Sequence, residues 1–430
     1  MKERLAIVSG IRTPQTKAGG LFSAILADDL GAIPVKEVLA RTGLDPKLID
    51  EVILGNVSQP AHAANIARVV ALKAGLPVST PAFTVHRNCA SGFESITSAA
   101  NKIFAGEAEI ILAGGTESMS NIPLLYNPAA TTWFAQAAKA KTTTQKLKHF
   151  LKLRPSFFFK PKIGLVEGLT DPTCGLIMGL TAENLARDFA IPREVQDQFA
   201  LESHQKASKA QSAGTFDAEM VPVPVPPQFK TTQTQDDGPR ATQTLEALAK
   251  LKPYFDRNYG SVTVGNACPI TDGAAAVIVM SESKAKAMGY TPLGYVRAYA
   301  YAGLDPSRMG LGPVFATAKV LNQTGLSMQD IDLIELNEAF AVQVLANIKA
   351  FESDSFAQTH LGQSKAVGAL DPSLLNVNGG GIALGHPVGM TGTRLVITLL
   401  HELRRRGKHR GLATLCIGGG QGGSLILETE

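Results

Sequence analysis

The sequence predicts an α/β protein made of two similar halves. Three observations carry that expectation. Strand-length apolar runs alternate with amphipathic helical runs through the first 120 residues. A second α/β unit begins near Pro292 and echoes the first, with Glu51-Val-Ile-Leu-Gly-Asn-Val answered by Asp332-Leu-Ile-Glu-Leu-Asn-Glu. At matching points of the two halves, Cys89-Ala-Ser-Gly and His386-Pro-Val-Gly-Met-Thr-Gly each open what reads as a central helix.

Taken in order, Leu5–Ser9 and Glu51–Gly55 read as short apolar strands and Asp28–Arg41 as an amphipathic helix. Phe83–Asn88 reads as a strand and Ala90–Phe104 as a helix starting just after Cys89. Ile110–Ala113 is a strand that Gly114-Gly115 should end. Residues 121–178 are rich in Lys, Thr, Phe and Pro with poor periodicity, and look like an excursion from the main unit. Helical patterns return at Thr181–Phe189 and Pro192–Ala213. Val221–Gln228 is extended and semi-rigid, and Thr231–Gly238 is a polar loop. Thr271–Met280 reads as a small-residue turn followed by a buried strand. The strand Ile110-Ile-Leu-Ala-Gly-Gly-Thr is echoed by Ala413-Thr-Leu-Cys-Ile-Gly-Gly-Gly. Two such halves about a pseudo-twofold would bring Cys89 and His386 face to face.

At 430 residues the chain exceeds one hydrophobic core, and 45% hydrophobic against 18% charged residues describes a well-packed globular protein. Apolar runs such as Ile110–Ala113 are too short to span a bilayer, and the N-terminus lacks the zones of a signal peptide. Cys89, Cys174, Cys268 and Cys416 are too irregularly spaced for a disulfide framework or a metal site, which favours a reducing compartment. No Walker A, EF-hand or HExxH pattern occurs, so no metal is expected. The net charge is +4, yet no acidic residue stands between Glu117 and Glu167. That stretch holds Lys139, Lys141, Lys146, Lys148, Lys152, Arg154, Lys160 and Lys162. The basic face is therefore local, and no nucleic-acid partner is expected.

Glycines surround two of the chemical residues. Asn378-Gly-Gly-Gly-Ile-Ala-Leu-Gly precedes His386, and Cys416 is followed by Ile-Gly-Gly-Gly-Gln-Gly-Gly. Glycine permits close backbone approach and positive φ, which presents a side chain to a substrate. A helix N-terminus after Cys89 would favour its thiolate, with His86 and Arg87 nearby. The plainer reading is a buried structural cysteine. His386 can accept a thiol proton, or be an ordinary turn histidine. Cys416 suits proton transfer at carbon, or is a small residue at a strand end. Asn337 can hold a water or carbonyl oxygen, or cap a helix. The glycines at 379–381 lack the strand–turn–helix context of a dinucleotide loop.

Together these motifs resemble the thiolase family over nearly the whole chain. Asn88-Cys-Ala-Ser-Gly is similar to its nucleophile motif, Asn337-Glu-Ala-Phe to its asparagine motif, Gly380-Gly-Ile-Ala-Leu-Gly-His-Pro-Val-Gly to its histidine motif and Cys416-Ile-Gly-Gly-Gly-Gln-Gly to its second-cysteine motif. The resemblance implies two βαβαβαββ halves, residues 1–120 plus 251–285 and 286–430, in a five-layered α/β/α/β/α core, with a loop domain at 121–250 over the active site. It implies ping-pong acyl transfer between 3-oxoacyl-CoA and CoA. Cys89 would be the nucleophile, His386 its base and an oxyanion-hole donor, and Cys416 the proton donor and acceptor. Asn337 through a water, and the Gly418 N–H, would complete the oxyanion holes. Leu169, Ile177, Met178, Arg240, Ala247, Phe255, Cys268, Ala339 and Phe340 fall at substrate-contacting positions. A histidine lining the short-chain pocket is Ile177 here, and a serine facing the pantetheine is Cys268. No bound cofactor is implied, with CoA as co-substrate. A homodimer or tetramer is implied, in the bacterial cytoplasm or, for a processed eukaryotic chain, the mitochondrial matrix. Arg154-Pro-Ser-Phe-Phe-Phe-Lys-Pro-Lys is similar to the longer loop of thiolases that pair with a hydratase/dehydrogenase subunit. Through 139–162 it would meet that partner, a membrane surface or only the phosphates of CoA.

Overall fold

The computed structural model describes residues 3–157, 159 and 161–430. Phe158 and Lys160 of the basic stretch lie outside the described residues. The first half contributes strands β1 (Leu5–Arg12), β2 (Glu51–Gly55), β3 (Ala82–Val85), β4 (Ile110–Ser118) and β5 (Thr271–Ser281). The second contributes β6 (Gly294–Gly303), β7 (Leu333–Leu336), β8 (Arg410–Ile417) and β9 (Gln421–Glu428). Their spatial order is β7-β8-β9-β6-β1-β5-β4-β2-β3.

That order makes the repeat explicit. β2 runs parallel to β4 as β7 does to β8, and β4 is antiparallel to β5 as β8 is to β9. β5 then pairs β1 as β9 pairs β6. The counterpart of β3 shrinks in the second half to a single parallel bridge between Ile334 and Leu375. β1 and β6 pair antiparallel, Leu5 opposite Val296, and join the half-sheets.

Most of the strands bury both faces, which is why they read as continuous apolar runs. Alternate residues serve different layers. Ile111 and Ala113 of β4 face the central core, while Ile110 and Leu112 face the outer one. The outer layer of the first half is α1 (Ala27–Thr42) with α2 (Ile66–Lys73), and that of the second includes α8 (Gly312–Thr324) and α9 (Ala341–Phe351). The central layer is α3 (Ser91–Phe104) against α10 (Thr391–Arg406). The N-terminal ends of α3 and α10 touch through glycines. A methyl group at Gly92 would lie 2.6 Å from the Thr393 nitrogen, and one at Gly392 only 2.4 Å from the Phe93 nitrogen.

Two expectations need correction. β4 does not end at Gly114-Gly115 but continues to Ser118. Those glycines admit crossing backbone: a Cβ at Gly114 would sit 2.2 Å from Ala275 O and one at Gly115 2.1 Å from Gly389 O. Likewise Thr271–Ser281 is strand throughout, with no leading turn. The excursion is also more ordered than its periodicity suggested. It holds α4 (Pro128–Lys139) and α5 (Thr143–Phe150), each capped by a side chain, Asn127 and Thr142. α6 (Met178–Asp188) and α7 (Arg193–Ser212) follow. A buried guanidinium ties the 216–237 segment to the sheet: Arg12 bonds Glu219 at 2.6 Å and Asp236 at 2.8 and 2.9 Å.

Candidate active site

Cys89 lies in the sharp passage from β3 to α3. Asn88 makes that passage with φ 44°, a left-handed conformation asparagine tolerates. Its side-chain amide donates to Gly418 O at 2.7 Å, fixing the peptide after Cys416 and Ile417. The Gly418 N–H in turn bonds the Cys89 sulfur. One glycine is thereby held by its carbonyl and presents its N–H to the thiol. Half-buried Cys89 does not have a depressed pKa: burial pushes the thiol up, against its hydrogen bonds to the Gly418 and Cys89 N–H groups. The expectation of thiolate stabilisation is corrected further by Arg87, which pairs with Glu94 at 2.5 Å and lies 4.1 Å over the Tyr301 ring. Activation of this thiol therefore calls for a base.

His386 is buried in a turn and supplies a bare ring nitrogen. Thr391 Oγ1 lies 2.7 Å from His386 Nδ1 and 2.9 Å from Pro387 O. A hydroxyl has one proton. When Thr391 donates it to Pro387 O, the oxygen must accept from Nδ1–H, so Nε2 carries the lone pair. Nε2 is buried without a partner among the described residues. Burial, with the Arg394 charge adding to it, pushes the imidazole down to about 3, so it stays neutral. The surrounding glycines are sites of backbone contact. Gly385 has φ 104° and would clash with Thr271 if it carried a Cβ, and a methyl at Gly273 would meet Pro387 at 2.9 Å.

Cys416 is buried near the end of β8. Burial, then the neighbouring Cys89 and Cys268 thiols, push it well above the ordinary range. A thiol so raised is a neutral S–H rather than a standing nucleophile. Cys268 is pushed up to about 12, first by burial and then by Cys89. Its N–H donates to Ala339 O at 3.0 Å, and Ala267 bridges Phe340, which sets this thiol beside the asparagine segment. Asn337 is not a helix cap, since α9 starts at Ala341 with Phe340 as its cap residue. Asn337 N–H donates to Thr414 O at 3.0 Å, while both side-chain amide atoms are buried without a partner among the described residues. Such an amide is costly unless something else satisfies it. Glu338 secures the segment by accepting from Ser203 Oγ at 2.6 Å and Asn376 Nδ2 at 2.8 Å.

Most of the expected substrate-contacting residues converge. Met178 N–H donates to Leu169 O at 2.9 Å, and Ile177 caps α6 beside them. Gly418 approaches Met178 closely enough that an added methyl would lie 3.4 Å from its sulfur. The Phe255 ring packs where a Cβ on Gly179 would be, and meets Phe340 edge-on at 6.1 Å. Arg240 and Ala247 are exposed. Arg240 N–H donates to His204 Nδ1, and Ala247 N–H to Thr244 Oγ1. Sequence reasoning missed Asn88, Thr391 and Glu117. Glu117 accepts from Val57, Ser58 and Gly389 N–H groups, and burial pushes it up to about 7. The available signal was an acid at the end of the apolar run Ile110–Gly115, where burial was foreseeable.

The arrangement combines a thiol, a neutral imidazole, a second thiol, an unpartnered amide and an oriented backbone N–H. Models described as the thiolase N-terminal and C-terminal domains match residues 5–283 and 290–429. A 3-ketoacyl-CoA thiolase of Yersinia enterocolitica is 44% identical over 429 residues, spanning 100% of this chain and 97% of the relative. The same figures hold for a 3-ketoacyl-CoA thiolase of Serratia proteamaculans. The crystal structure of human mitochondrial 3-ketoacyl-CoA thiolase in complex with CoA is 39% identical with a TM-score of 0.85, covering 100% of this chain and 98% of that one. The Bacillus anthracis acetyl-CoA acetyltransferase is also 39% identical, with a TM-score of 0.86 and 99% and 98% coverage. The chain is a member of the thiolase family.

Proposed function

We propose that this protein is an acyltransferase that cleaves 3-oxoacyl-CoA with CoA, giving acetyl-CoA and a shortened acyl-CoA. The reading is supported by a buried His386 Nε2 without a partner among the described residues, a Cys89 sulfur that accepts from Gly418 N–H and a Cys416 that burial keeps neutral. His386 Nε2 takes the Cys89 proton, and the sulfur attacks the 3-oxo carbon. Gly418 N–H and the Cys89 N–H stabilise the tetrahedral oxyanion. The C2–C3 bond then breaks, and its electron pair leaves as the acetyl-CoA enolate. His386 and a water held by Asn337 stabilise the enolate oxygen, and Cys416 S–H protonates C2. Free CoA then gives its thiol proton to the Cys416 thiolate, its sulfur attacks the Cys89 thioester, and the departing Cys89 sulfur takes back the proton held by His386. Run backwards, Cys416 abstracts the α-proton for Claisen condensation.

Apolar Ile177 at the pocket favours medium or longer acyl chains over a four-carbon specialist. Thiolysis assays on four-, eight- and sixteen-carbon 3-oxoacyl-CoA test this. Cleavage of the four-carbon substrate alone would move the assignment to an acetoacetyl-CoA thiolase. Absence of thiolysis of all three substrates by the wild-type protein would make it a thiolase-fold binding or assembly subunit. The family reading adds a homodimer or tetramer, for which the open sheet edge at β3 is a suitable pairing strand. It leaves residues 139–162 to meet a hydratase/dehydrogenase subunit, a membrane surface or only the phosphates of CoA. Leu147, Phe150 and Leu151 form an exposed i, i+3, i+4 apolar stripe among lysines, which supports contact of that kind. Co-sedimentation with neutral and anionic vesicles separates lipid from protein contact.

A further inference from the structure

The turn that carries His386 belongs to the second half, yet the first half grips it. Gly389, three residues after His386, sends its carbonyl into the space between the ends of β2 and β4. A methyl at Gly55 would lie 2.7 Å from that oxygen, and one at Gly115 2.1 Å. Gly389 itself admits no side chain, since a Cβ there would be 2.7 Å from Glu117 Oε2 and 2.9 Å from Asn56 Cα.

Glu117, the last residue but one of β4, closes the grip. Its Oε2 accepts from Gly389 N–H at 2.9 Å and from Val57 N–H at 3.0 Å. Its Oε1 accepts from Ser58 N–H at 3.0 Å and from Asn56 Nδ2 at 3.3 Å. Both oxygens thus face N–H donors, the pattern that a carboxylate satisfies as an acceptor. Asn56 donates as well to Thr116 O at 2.8 Å. By sheet order Asn56 follows β2 as Asn337 follows β7. The first half uses its amide nitrogen, Asn56 Nδ2, to hold this carboxylate, whereas in the second half both polar atoms of the Asn337 amide are without a partner among the described residues.

We infer that Glu117 is a positioning residue: by binding Gly389 N–H it fixes the 386–389 turn to the β2–β4 edge and so sets His386 relative to Cys89. The inference rests on the reading of His386 as the base. Glu117→Gln tests it, because the amide NH₂ would face at least one N–H donor and open one arm of the grip. The expected result is a fall in kcat of about 10²-fold, the cost of misplacing a reacting group by about an ångström. KM for both substrates should stay within about twofold, and the urea midpoint should show a folded protein. Inactivation by iodoacetamide at Cys89 should slow in parallel, which loss of stability alone does not produce. Glu117→Asp keeps the charge and should recover part of kcat. Wild-type kcat in Glu117→Gln overturns the inference, as does a loss of kcat matched by a rise in KM. If Glu117→Gln does not fold, Glu117→Asp carries the test alone: lowered kcat at retained KM supports it, and unchanged kcat overturns it. Cys89→Ala and His386→Asn run alongside. Full activity in either removes the reading of the site itself, whereas their inactivity with a fully active Glu117→Gln removes only the role of Glu117.

Discussion

Replacing Gly92 with alanine puts a methyl group 2.6 Å from the Thr393 nitrogen, 2.9 Å from Thr393 Oγ1 and 3.1 Å from the Gly392 nitrogen. Ordinary contact begins at 3.4 Å, so the ends of α3 and α10 must separate by about 0.8 Å. The nearest atom is backbone, and no rotamer change relieves it. Overpacking of this kind costs about 1–3 kcal/mol. Alanine returns at most about 1 kcal/mol of helix propensity. The net loss of stability should therefore be only about 0–2 kcal/mol. The catalytic loss should be larger than that suggests, because the parting ends carry Cys89 and His386. A fall in kcat of about 10²-fold is expected for a displacement of this size. Steady-state thiolysis and urea unfolding on one preparation measure both. Gly168→Ala is the control. Nothing lies within 4 Å of its added methyl, so stability should change by less than about 0.5 kcal/mol and activity not at all. A Gly92→Ala enzyme with wild-type kcat would refute the claim that this helix contact spaces the two groups.

The buried Arg12 with Glu219 and Asp236 predicts a different outcome. Arg12→Met leaves two buried carboxylates uncompensated and should cost about 3–5 kcal/mol by urea unfolding. Asn337→Ala should lower kcat about 10²-fold while unfolding free energy changes by less than about 1 kcal/mol. The amide it removes has no partner among the described residues, which offsets the lost packing. The pH dependence of stability should show the neutral His386. Its folded pKa is pushed from the ordinary 6.5 to about 3, so the unfolded chain takes up the proton first. Wild type therefore loses stability as pH falls from about 6.5 toward 3, and His386→Asn should lose less over the same window. Urea midpoints at neutral and acidic pH compare the two.

The two-half plan was legible because it is written locally. β2 begins and ends at Glu51 and Gly55 as its apolar run does, and α3 starts within two residues of Cys89. His386 and Cys416 could be singled out as candidates because their residue types and glycine settings are local too. What escaped depends on distant backbone. β4 continues through two glycines because β5 and the Gly389 turn cross them, which no window of sequence contains. α4 and α5 escaped because little of them faces the core, so the usual apolar stripe is not the guide. Thiolate stabilisation at Cys89 was misjudged because a helix N-terminus is visible in sequence, while burial of the thiol and diversion of Arg87 to Glu94 are not. Glu117 needed the position of Gly389, 272 residues away, to acquire a meaning.

Trapping the acyl-enzyme tests the central claim most directly. The protein is mixed with 3-oxooctanoyl-CoA without free CoA, quenched in acid and mapped by peptide mass spectrometry. Transfer through Cys89 predicts a hexanoyl group on the Cys89 peptide, stoichiometric acetyl-CoA in solution and loss of the adduct when CoA is added. An unmodified Cys89 peptide, or the acyl group on Cys268 or Cys416 instead, would contradict it.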